Sequence, residues 1–193
     1  GSGAGSVYLY SMSVAEVSDT IHQASWNLQQ TLAAPDQSSG DAFGSSITMS
    51  SDNTLIAIGA TEEDSSGNNA GAVYLFESES ATSLAWSCGA KLVASNGEAS
   101  DYFGSSLGIM KYTQESFGRD VAVGAYAHDS NRGAVYVFHE YIQTEGLVGS
   151  LHTWSQSSIL RPYSNGNLGD NFGYSLVYSE DGSNLLISTY RTD

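Results

Sequence analysis

Carboxylates are the commonest ionisable side chains in this sequence, and three of them recur at one position. Asp41, Asp101 and Asp170 each stand two residues before a Phe-Gly pair. A carboxylate at such a fixed place could act as an acid, a base or a metal ligand. A short carboxylate at a strand entrance can also accept backbone N–H groups and fix a turn. We expect this structural role, because the three aspartates share a place in a pattern rather than a cluster.

Two other segments carry side chains that could contact a partner. One is an acidic run between two predicted strands, and the other is the corresponding slot further along the chain, which holds a tyrosine, a histidine and an aspartate. A solvated loop is the simpler interpretation of the acidic run, since its carboxylates are not repeated in the second slot. The candidate contact residues are Glu62, Glu63, Asp64, Tyr126, His128 and Asp129.

Catalytic patterns are absent from the sequence. The four histidines, at positions 22, 128, 139 and 152, lie in unrelated surroundings. One segment, Gly104-Ser-Ser106-Leu-Gly108, has the spacing Gly-x-Ser-x-Gly, but it lies in the repeated phrase and a predicted strand, not at a strand-to-helix elbow. There is no His-Glu-x-x-His pair or phosphate-binding loop. Paired carboxylates for sugar hydrolysis could still form between neighbouring elements, which a sequence does not reveal. We therefore predict no catalytic residues and a protein that is not an enzyme.

The elements that position these residues are repeated. Asp-x-Phe-Gly-x-Ser occurs at 41–46, 101–106 and 170–175, and an aromatic arm occurs at 5–10, 71–76 and 133–138. A tryptophan follows each arm, at Trp26, Trp86 and Trp154. The common period of roughly 60 to 70 residues indicates a repeated supersecondary unit.

Each full unit contains four short strand patterns separated by turn-forming residues. No segment has a convincing helical period, and we expect a turn within 14–23 and insertions between strands at 111–119 and 141–151. The predicted strands are 43–49, 55–60, 72–76 and 86–93 in the first unit, and 103–110, 120–125, 134–139 and 154–161 in the second.

Side-chain size changes across the unit. The first two strands are rich in Gly, Ala and Ser, whereas the outer strands carry Tyr, Phe and Trp. A crowded centre and a bulky rim form the taper of a β-propeller blade, which a β-sandwich does not need. The sequence therefore predicts an all-β fold of propeller blades, each a meander of four antiparallel strands.

The repeated motifs resemble the FG-GAP repeat, which forms the propeller blades of integrin α-subunits. Phe43-Gly44, Gly59-Ala60 and the arm at 71–74 match in one unit, and the next unit repeats all three. The third unit departs from the pattern, with Ser188-Thr189 in place of Gly-Ala. The resemblance implies an extracellular or cell-surface protein with binding loops on a rigid scaffold.

The resemblance also implies a calcium loop of the form Asp-x-Asp-x-Asp-Gly-x-x-x-Asp between the first and second strands of some blades. Calcium needs six to eight oxygen ligands. The matching segments here are 50–53, which is too short, 111–120, which contains Lys111 and Arg119, and 179–184, which reads as a hairpin turn. We expect no calcium site and no cofactor.

The repeat divides the chain into a single propeller segment of four parts. These are a half-blade at 1–40, blades at 41–100 and 101–169, and a complementary half-blade at 170–193. Three blade equivalents are too few to close a propeller. We expect an arc of a larger propeller; the alternative is that copies join through their half-blades.

Charge excludes some partners. The chain has 21 Asp plus Glu against 6 Lys plus Arg, a net charge of -15. Nucleic acids and anionic membranes are poor partners for such a surface, and no apolar run is long enough for membrane insertion. Cys88 is the single cysteine of the sequence. Tyr102, Tyr126 and Tyr163 lie in predicted turns, where their rings could stack on a sugar or a protein.

These observations favour a non-catalytic extracellular module for recognition, adhesion or structural assembly. The expected partner is a protein or a glycan, with self-association through the terminal half-blades as a further possibility. The alternative is part of a propeller-type hydrolase or lyase that acts on extracellular glycans.

Overall fold

A computed structural model describes residues 3–18, 21–111, 118–144, 150–163 and 166–190. Nearly all of its regular elements are strands. They are β1 (Val7–Ser18), β2 (Ile21–Leu32), β3 (Phe43–Met49), β4 (Leu55–Ala60), β5 (Ala72–Glu77), β6 (Ser87–Leu92), β7 (Ser106–Lys111), β8 (Arg119–Ala125), β9 (Ala134–Thr144), β10 (Ser150–Leu160), β11 (Leu176–Tyr178) and β12 (Leu185–Ile187), with a one-turn helix α1 (His128–Asn131) after β8. In these ranges, no helix has the length and apolar character needed to cross a bilayer.

The strands form four antiparallel sheets in chain order. Two sheets have four strands, β3-β4-β5-β6 and β7-β8-β9-β10, and each is a simple meander. A two-stranded sheet precedes them, β1-β2, and another follows, β11-β12. The predicted fold class is confirmed: the chain is all-β and consists of four-stranded propeller blades and half-sheets.

The hairpins β1–β2 and β9–β10 are longer than the sequence predicted. Paired strands run into both 14–23 and 141–151, to Ser18 and from Ile21 in the first and to Thr144 and from Ser150 in the second, so the expected turn and insertion are shorter than predicted. Polar side chains that bond across the strands sustain the pairing in the first hairpin. Ser13 Oγ lies 2.9 Å from Ser25 Oγ, and Asn27 Nδ2 donates to Ser13 Oγ at 3.0 Å. Such cross-strand pairs stabilise a hairpin in the absence of an apolar core.

The helix α1 is a left-handed turn rather than a right-handed helix. Asp129, Ser130 and Asn131 have φ values of 52°, 59° and 63°. Short polar side chains tolerate this region better than most residues do. The turn is closed by a hydrogen bond from the Gly133 N–H to the His128 carbonyl at 3.0 Å. Strand β9 begins at the next residue, Ala134.

Aromatic clusters pack between successive sheets in the same way each time. Phe43 meets Tyr74 edge to face at a centroid distance of 5.7 Å, and Phe103 meets Tyr136 at 5.4 Å. All four rings are almost fully buried. Edge-to-face pairs of this kind add to the burial of apolar area, so the Phe of Phe-Gly and the Tyr of the aromatic arm act as one packing unit.

Small residues let neighbouring sheets approach closely. A Cβ on Gly59 would collide with the Gly104 carbonyl of the next sheet, and one on Gly124 would collide with the Gly173 carbonyl. The last serine of the repeated phrase donates a hydrogen bond to the same glycine carbonyl of the next sheet. Ser46 Oγ donates to the Gly104 carbonyl at 2.5 Å, and Ser106 Oγ donates to the Gly173 carbonyl at 2.6 Å. The repeated motifs therefore hold one sheet against the next.

Candidate functional site

The Phe-Gly phrases and the loops β4–β5 and β8–β9 lie at one edge of the sheets, which we call the FG edge. Its turns are fixed by the repeated aspartates. Asp41, Asp101 and Asp170 each accept the backbone N–H of the residue three positions earlier, at 2.6, 2.8 and 2.6 Å. The predicted structural role of these carboxylates is confirmed.

A row of four tyrosines crosses the FG edge from one sheet to the next. Tyr102 stacks on Tyr126 with a centroid distance of 5.7 Å and an interplanar angle of 5°. Tyr126 meets Tyr174 at 5.8 Å, and Tyr174 meets Tyr190 at 5.2 Å. Tyr174 and Tyr190 are 51% and 55% exposed. We call these four residues the tyrosine row; Tyr163, which is 97% exposed, lies outside it.

His128 is buried beneath the FG edge. Its Nδ1 lies 2.8 Å from Asp101 Oδ2, and its Nε2 lies 3.4 Å from Arg161 Nη2. A guanidinium can only donate, so Nε2 must accept and Nδ1 must carry the proton that goes to Asp101. The side chain is thus committed to contacts within the protein.

Glu63 is also buried and belongs to an ion-pair group. Lys91 Nζ lies 2.9 Å from Glu63 and 2.7 Å from Asp36, whose carboxylate accepts the Tyr74 hydroxyl at 2.7 Å. Burial alone would lower the pKa of Lys91, but its hydrogen bonds to Asp36 and Glu63 raise it overall. The group ties the β4–β5 loop to the sheet.

The other candidate contact residues are accessible. Glu62 and Asp64 are exposed on the β4–β5 loop, where Asp64 accepts the Asn69 N–H at 2.7 Å. Asp129 is exposed on the left-handed turn and pairs with Arg132 at 3.0 Å. Of the predicted set, these three and the half-buried Tyr126 can reach a partner, and their role as contacts stays a prediction.

The opposite edge of the sheets holds a cleft of about 450 Å³ between the two four-stranded sheets. The centre of its lining is Arg119, which is 8% exposed. Arg119 Nε donates to Glu140 Oε2 at 2.7 Å, and a second bond joins Nη2 to Glu140 Oε1. Glu77 lies 3.6 Å from the same guanidinium, so Arg119 joins β8 and β9 to the neighbouring sheet.

Glu140 is ionised in this setting. Burial would raise the pKa of its carboxyl, but the hydrogen bonds from Arg119 and His152 lower it overall. His152 Nδ1 lies 2.7 Å from Glu140 Oε1. A buried carboxylate with a bidentate arginine partner is a stable anion rather than a proton donor.

Donor atoms of Glu77, Glu140 and His152 lie within 4.8 Å of one another, a spacing that could suit a metal ion. The Arg119 guanidinium already lies against both carboxylates. A divalent cation would have to share them with this fixed positive charge, which opposes binding. The donor set therefore fits an internal salt bridge better than a metal.

Two turns at this edge of the sheets occupy the position of the family calcium loop. In each turn the aspartate accepts hydrogen bonds from neighbouring residues of the same turn. Asp52 accepts hydrogen bonds from the Ser50 hydroxyl at 2.5 Å and the Thr54 N–H at 3.1 Å. Asp181 accepts the Ser179 hydroxyl at 2.6 Å, and the bonds from Ser179 and Ser183 hold its pKa at about 2. Both carboxylates shape hairpin turns. The third such segment falls largely outside the described residues.

The cleft was not predicted from the sequence, because the predicted third strand of the second unit ended at residue 139, one residue before Glu140. A usable pattern was present. Tyr136, Phe138 and Glu140 alternate at period two, which predicts that all three face the same side of a strand. A carboxylate on the same strand face as two buried rings is itself buried and therefore needs a positively charged partner. Arg119 on the neighbouring strand β8 is that partner.

Comparison with known proteins decides the family. A family model described as the FG-GAP repeat matches residues 26–76 and 86–138. The two matches together cover just over half of the 193 residues. The chain belongs to the FG-GAP repeat family. Each match begins at a tryptophan and ends in an aromatic arm, so the FG-GAP unit contains the last strand of one sheet and three strands of the next.

A shorter similarity links this FG-GAP protein to an integrin. A segment of 54 residues is 39% identical to integrin alpha-X of Mus musculus. The segment covers 28% of this chain and 5% of the relative, so the chain spans a small part of that protein's length. The similarity supports an integrin α-like propeller module.

Proposed function

We propose that this chain is a non-catalytic recognition or adhesion module of the extracellular or cell-surface kind. FG-GAP sheets supply a rigid scaffold, and loops and side chains at the FG edge contact a protein or a glycan. Propellers serve many functions, so the proposal rests on the surface and not on the fold. The acidic net charge of -15 favours neutral or basic partners.

The tyrosine row is the observation that carries the proposal. Tyrosine presents a rigid apolar ring with a polar hydroxyl and is enriched at interfaces for that reason. The row joins two sheets, and its last two rings, Tyr174 and Tyr190, are half exposed. The candidate contacts Tyr126 and Asp129 lie in or beside it, and Glu62 and Asp64 occupy the same loop of the preceding sheet.

The test removes the row while keeping the fold. Tyr174→Ser and Tyr190→Thr introduce the residues that stand at the equivalent places of other repeats, Ser45 and Thr61. We expect the double variant to lose about fivefold to 150-fold in affinity, since two aromatic contacts of roughly 0.5–1.5 kcal/mol each contribute about 1–3 kcal/mol together. Binding is measured on an array of defined peptides and oligosaccharides.

Tyr163→Ser is the matched control, because Tyr163 is exposed and lies outside the row. It should bind as the unmodified chain does, and thermal melts should show that all variants remain folded. Unchanged binding by a folded double variant would remove the tyrosine row from the proposal.

The cleft is the feature that speaks for the enzymatic alternative, a hydrolase or lyase acting on extracellular glycans. Glu77 and Glu140 approach each other closely enough for a pair of catalytic carboxyls. Such a pair needs one carboxyl that can give up a proton. Arg119 keeps Glu140 ionised, and the same guanidinium lies 3.6 Å from Glu77. We therefore assign the cleft to stability.

Structural assembly is a second proposal, supported by incomplete packing units at the two hairpins. Tyr8 and Tyr10 stand at the places of Tyr74 and Phe76 but are 59% and 51% exposed, against 1% and 4%. Phe172 in the last copy of the phrase is only half-buried. A sheet β11-β12 of one copy paired with β1-β2 of another would bring these rings together.

A further inference from the structure

We infer that Tyr174 and Tyr190 of the tyrosine row bind a neutral glycan chain by stacking against its pyranose rings. The inference deepens the proposed function, on which it rests, by naming the class of partner.

The rings contact one another in succession, with interplanar angles of 5°, 64° and 31°. Successive centroids along Tyr102, Tyr126, Tyr174 and Tyr190 lie between 5.2 and 5.8 Å apart. A point charge such as a lysine ammonium binds best over the face of one ring or within several that surround it. The two exposed rings, Tyr174 and Tyr190, are tilted by 31° with their centroids 5.2 Å apart, so they offer neighbouring apolar surfaces on which successive pyranose units of an extended chain can rest.

The exposed rings are held in place by the backbone beneath them. The Tyr190 N–H donates to the Asp170 carbonyl at 3.0 Å, and Asn171 Nδ2 donates to the Tyr190 carbonyl at 2.6 Å. Asn171 is itself 91% buried, with a relative exposure of 9%. A platform that is already ordered loses little conformational entropy on binding, which matters for a ligand with weak individual contacts.

The chemistry of the platform fits a sugar. The ring faces of tyrosine carry negative charge density, and the C–H groups on one side of a pyranose carry partial positive charge. The phenol hydroxyls at the ring ends can exchange hydrogen bonds with sugar hydroxyls. Tyrosine therefore serves both the apolar and the polar surface of the same ligand.

Charge decides between neutral and acidic glycans. The chain carries a net charge of -15, and Asp170 lies beside the row, where its backbone carbonyl accepts the Tyr190 N–H. Uronate or sulfate groups would meet like charge at this edge. The partner class is accordingly a neutral polysaccharide, such as a glucan, a mannan or a chitin-type chain.

The experiment titrates the full chain with neutral glucan, mannan and chitin-type hexasaccharides, and with an acidic oligogalacturonate. Binding is followed by calorimetry and by saturation-transfer NMR on the sugar protons. We expect at least one neutral hexasaccharide to saturate and the oligogalacturonate not to bind. Tyr174→Ser and Tyr190→Thr should each weaken binding by roughly threefold to tenfold.

Tyr174→Phe keeps the ring and should bind within about twofold of the unmodified chain, and Tyr163→Ser should be unchanged. The inference is overturned if no neutral hexasaccharide binds, or if the serine and threonine variants bind as the unmodified chain does. If peptides bind the tyrosine row on the array while every glycan fails, the glycan inference is wrong and the proposed function stands. If neither peptides nor glycans depend on the tyrosine row, both fail.

Discussion

Arg119 holds three oxygen-bearing groups at the junction of two sheets. Glu140 pairs with it in a bidentate arrangement, Glu77 lies at 3.6 Å, and Thr54 Oγ1 accepts a hydrogen bond at 3.3 Å. The guanidinium also lies 5.8 Å from the Trp154 ring centre. A buried charge of this kind is tolerated because every partner is present, so the removal of one has a large effect.

Glu140→Ala is therefore expected to destabilise the protein by about 3–5 kcal/mol, because it leaves Arg119 buried without its main partner. Urea denaturation measures the loss as a lower midpoint. Glu62→Ala is the control, since Glu62 is exposed and should change the unfolding free energy by less than about 0.5 kcal/mol.

The pH dependence gives a second readout of the same pair. The native pKa of Glu140 is lowered from an ordinary value of 4.5. Its stabilising contribution is therefore complete above about pH 4.5 and is lost as the pH falls through the lower native pKa. The unmodified chain should lose stability more steeply below pH 4.5 than Glu140→Ala does; parallel curves would contradict the assignment.

At the residue scale, sequence could predict side chains whose role follows from a repeated position. Asp41, Asp101 and Asp170 were assigned to turns because their place was constant. His128 and Glu63 were grouped with exposed loop residues, and sequence gave no sign that Asp101 and Lys91 would bury them. Those partners lie in other turns and strands, so the pairing depends on how the sheets stack.

Sheets are the elements of this molecule, and their contacts depend on positions without a side chain. Gly124 in β8 faces the Gly173 carbonyl of the following sheet, whereas Gly97 lies in a turn between sheets. A Cβ at Gly97 would have its nearest contact at 3.4 Å, an ordinary distance. A Cβ would therefore collide with the backbone of the next sheet at Gly124, whereas it would fit at Gly97.

Gly124→Ala should destabilise the protein by roughly 1–3 kcal/mol, because the new methyl group forces β8 away from its neighbour. Gly97→Ala is the matched substitution and should be neutral or stabilising by up to about 1 kcal/mol, since alanine restricts the unfolded chain. Thermal melts of both variants test this. Equal melting temperatures of the two variants would contradict the prediction, because they would mean that β8 can move away from the next sheet without a loss of stability.

At the element scale, strands with tight turns were predicted well and long hairpins poorly. The bounds of β4 followed from its continuous apolar run, all of which is buried between sheets, and those of β3 from the Phe-Gly phrase and the turn residues that follow it. The outer parts of β1–β2 and β9–β10 lack that pattern. Polar side chains contribute much of their cross-strand bonding, beside apolar pairs such as Met12 with Trp26, and such polar residues are equally typical of loops.

At the scale of the whole molecule, the half-sheets should allow copies to associate. We expect mass photometry of the purified chain to show species larger than a monomer that increase with concentration. Replacing the exposed Tyr8 and Tyr10 with serine should reduce them, because the rings that a complementary sheet would cover are lost. Tyr163→Ser is the control. Monomers alone at every concentration would refute assembly through the half-sheets.

Calcium dependence is the other property of the whole molecule that can be tested directly. We expect the melting temperature to be the same within about 1 °C with and without a chelator, because Asp52 and Asp181 are used within their own turns. Calcium held at 100 times its Kd would raise the melting temperature by roughly 5–10 °C. A shift of that size on chelation would contradict the prediction.

The overall architecture was the part most accessible from sequence. Repeats constrain every copy at once, so strand number and order followed from three aligned phrases, and the sheets appear in the predicted order. The cleft and the tyrosine row were not accessible in the same way. Each draws residues from different sheets. Tyr174 stands where the other repeats have Ser45 and Ser105, and the place of Tyr190 holds Thr61 in one repeat and Tyr126 in the next.

The serine bonds between sheets have a thermodynamic consequence. The Gly104 and Gly173 carbonyls are each completed by a hydroxyl from the preceding sheet. A sheet that frayed alone would strip a hydrogen-bond partner from its neighbour and uncover the ring cluster between them. Adjacent sheets are thereby coupled, and partly unfolded forms with one sheet missing are sparsely populated. The two four-stranded sheets should melt as one cooperative unit, unlike an array whose repeats unravel from the ends.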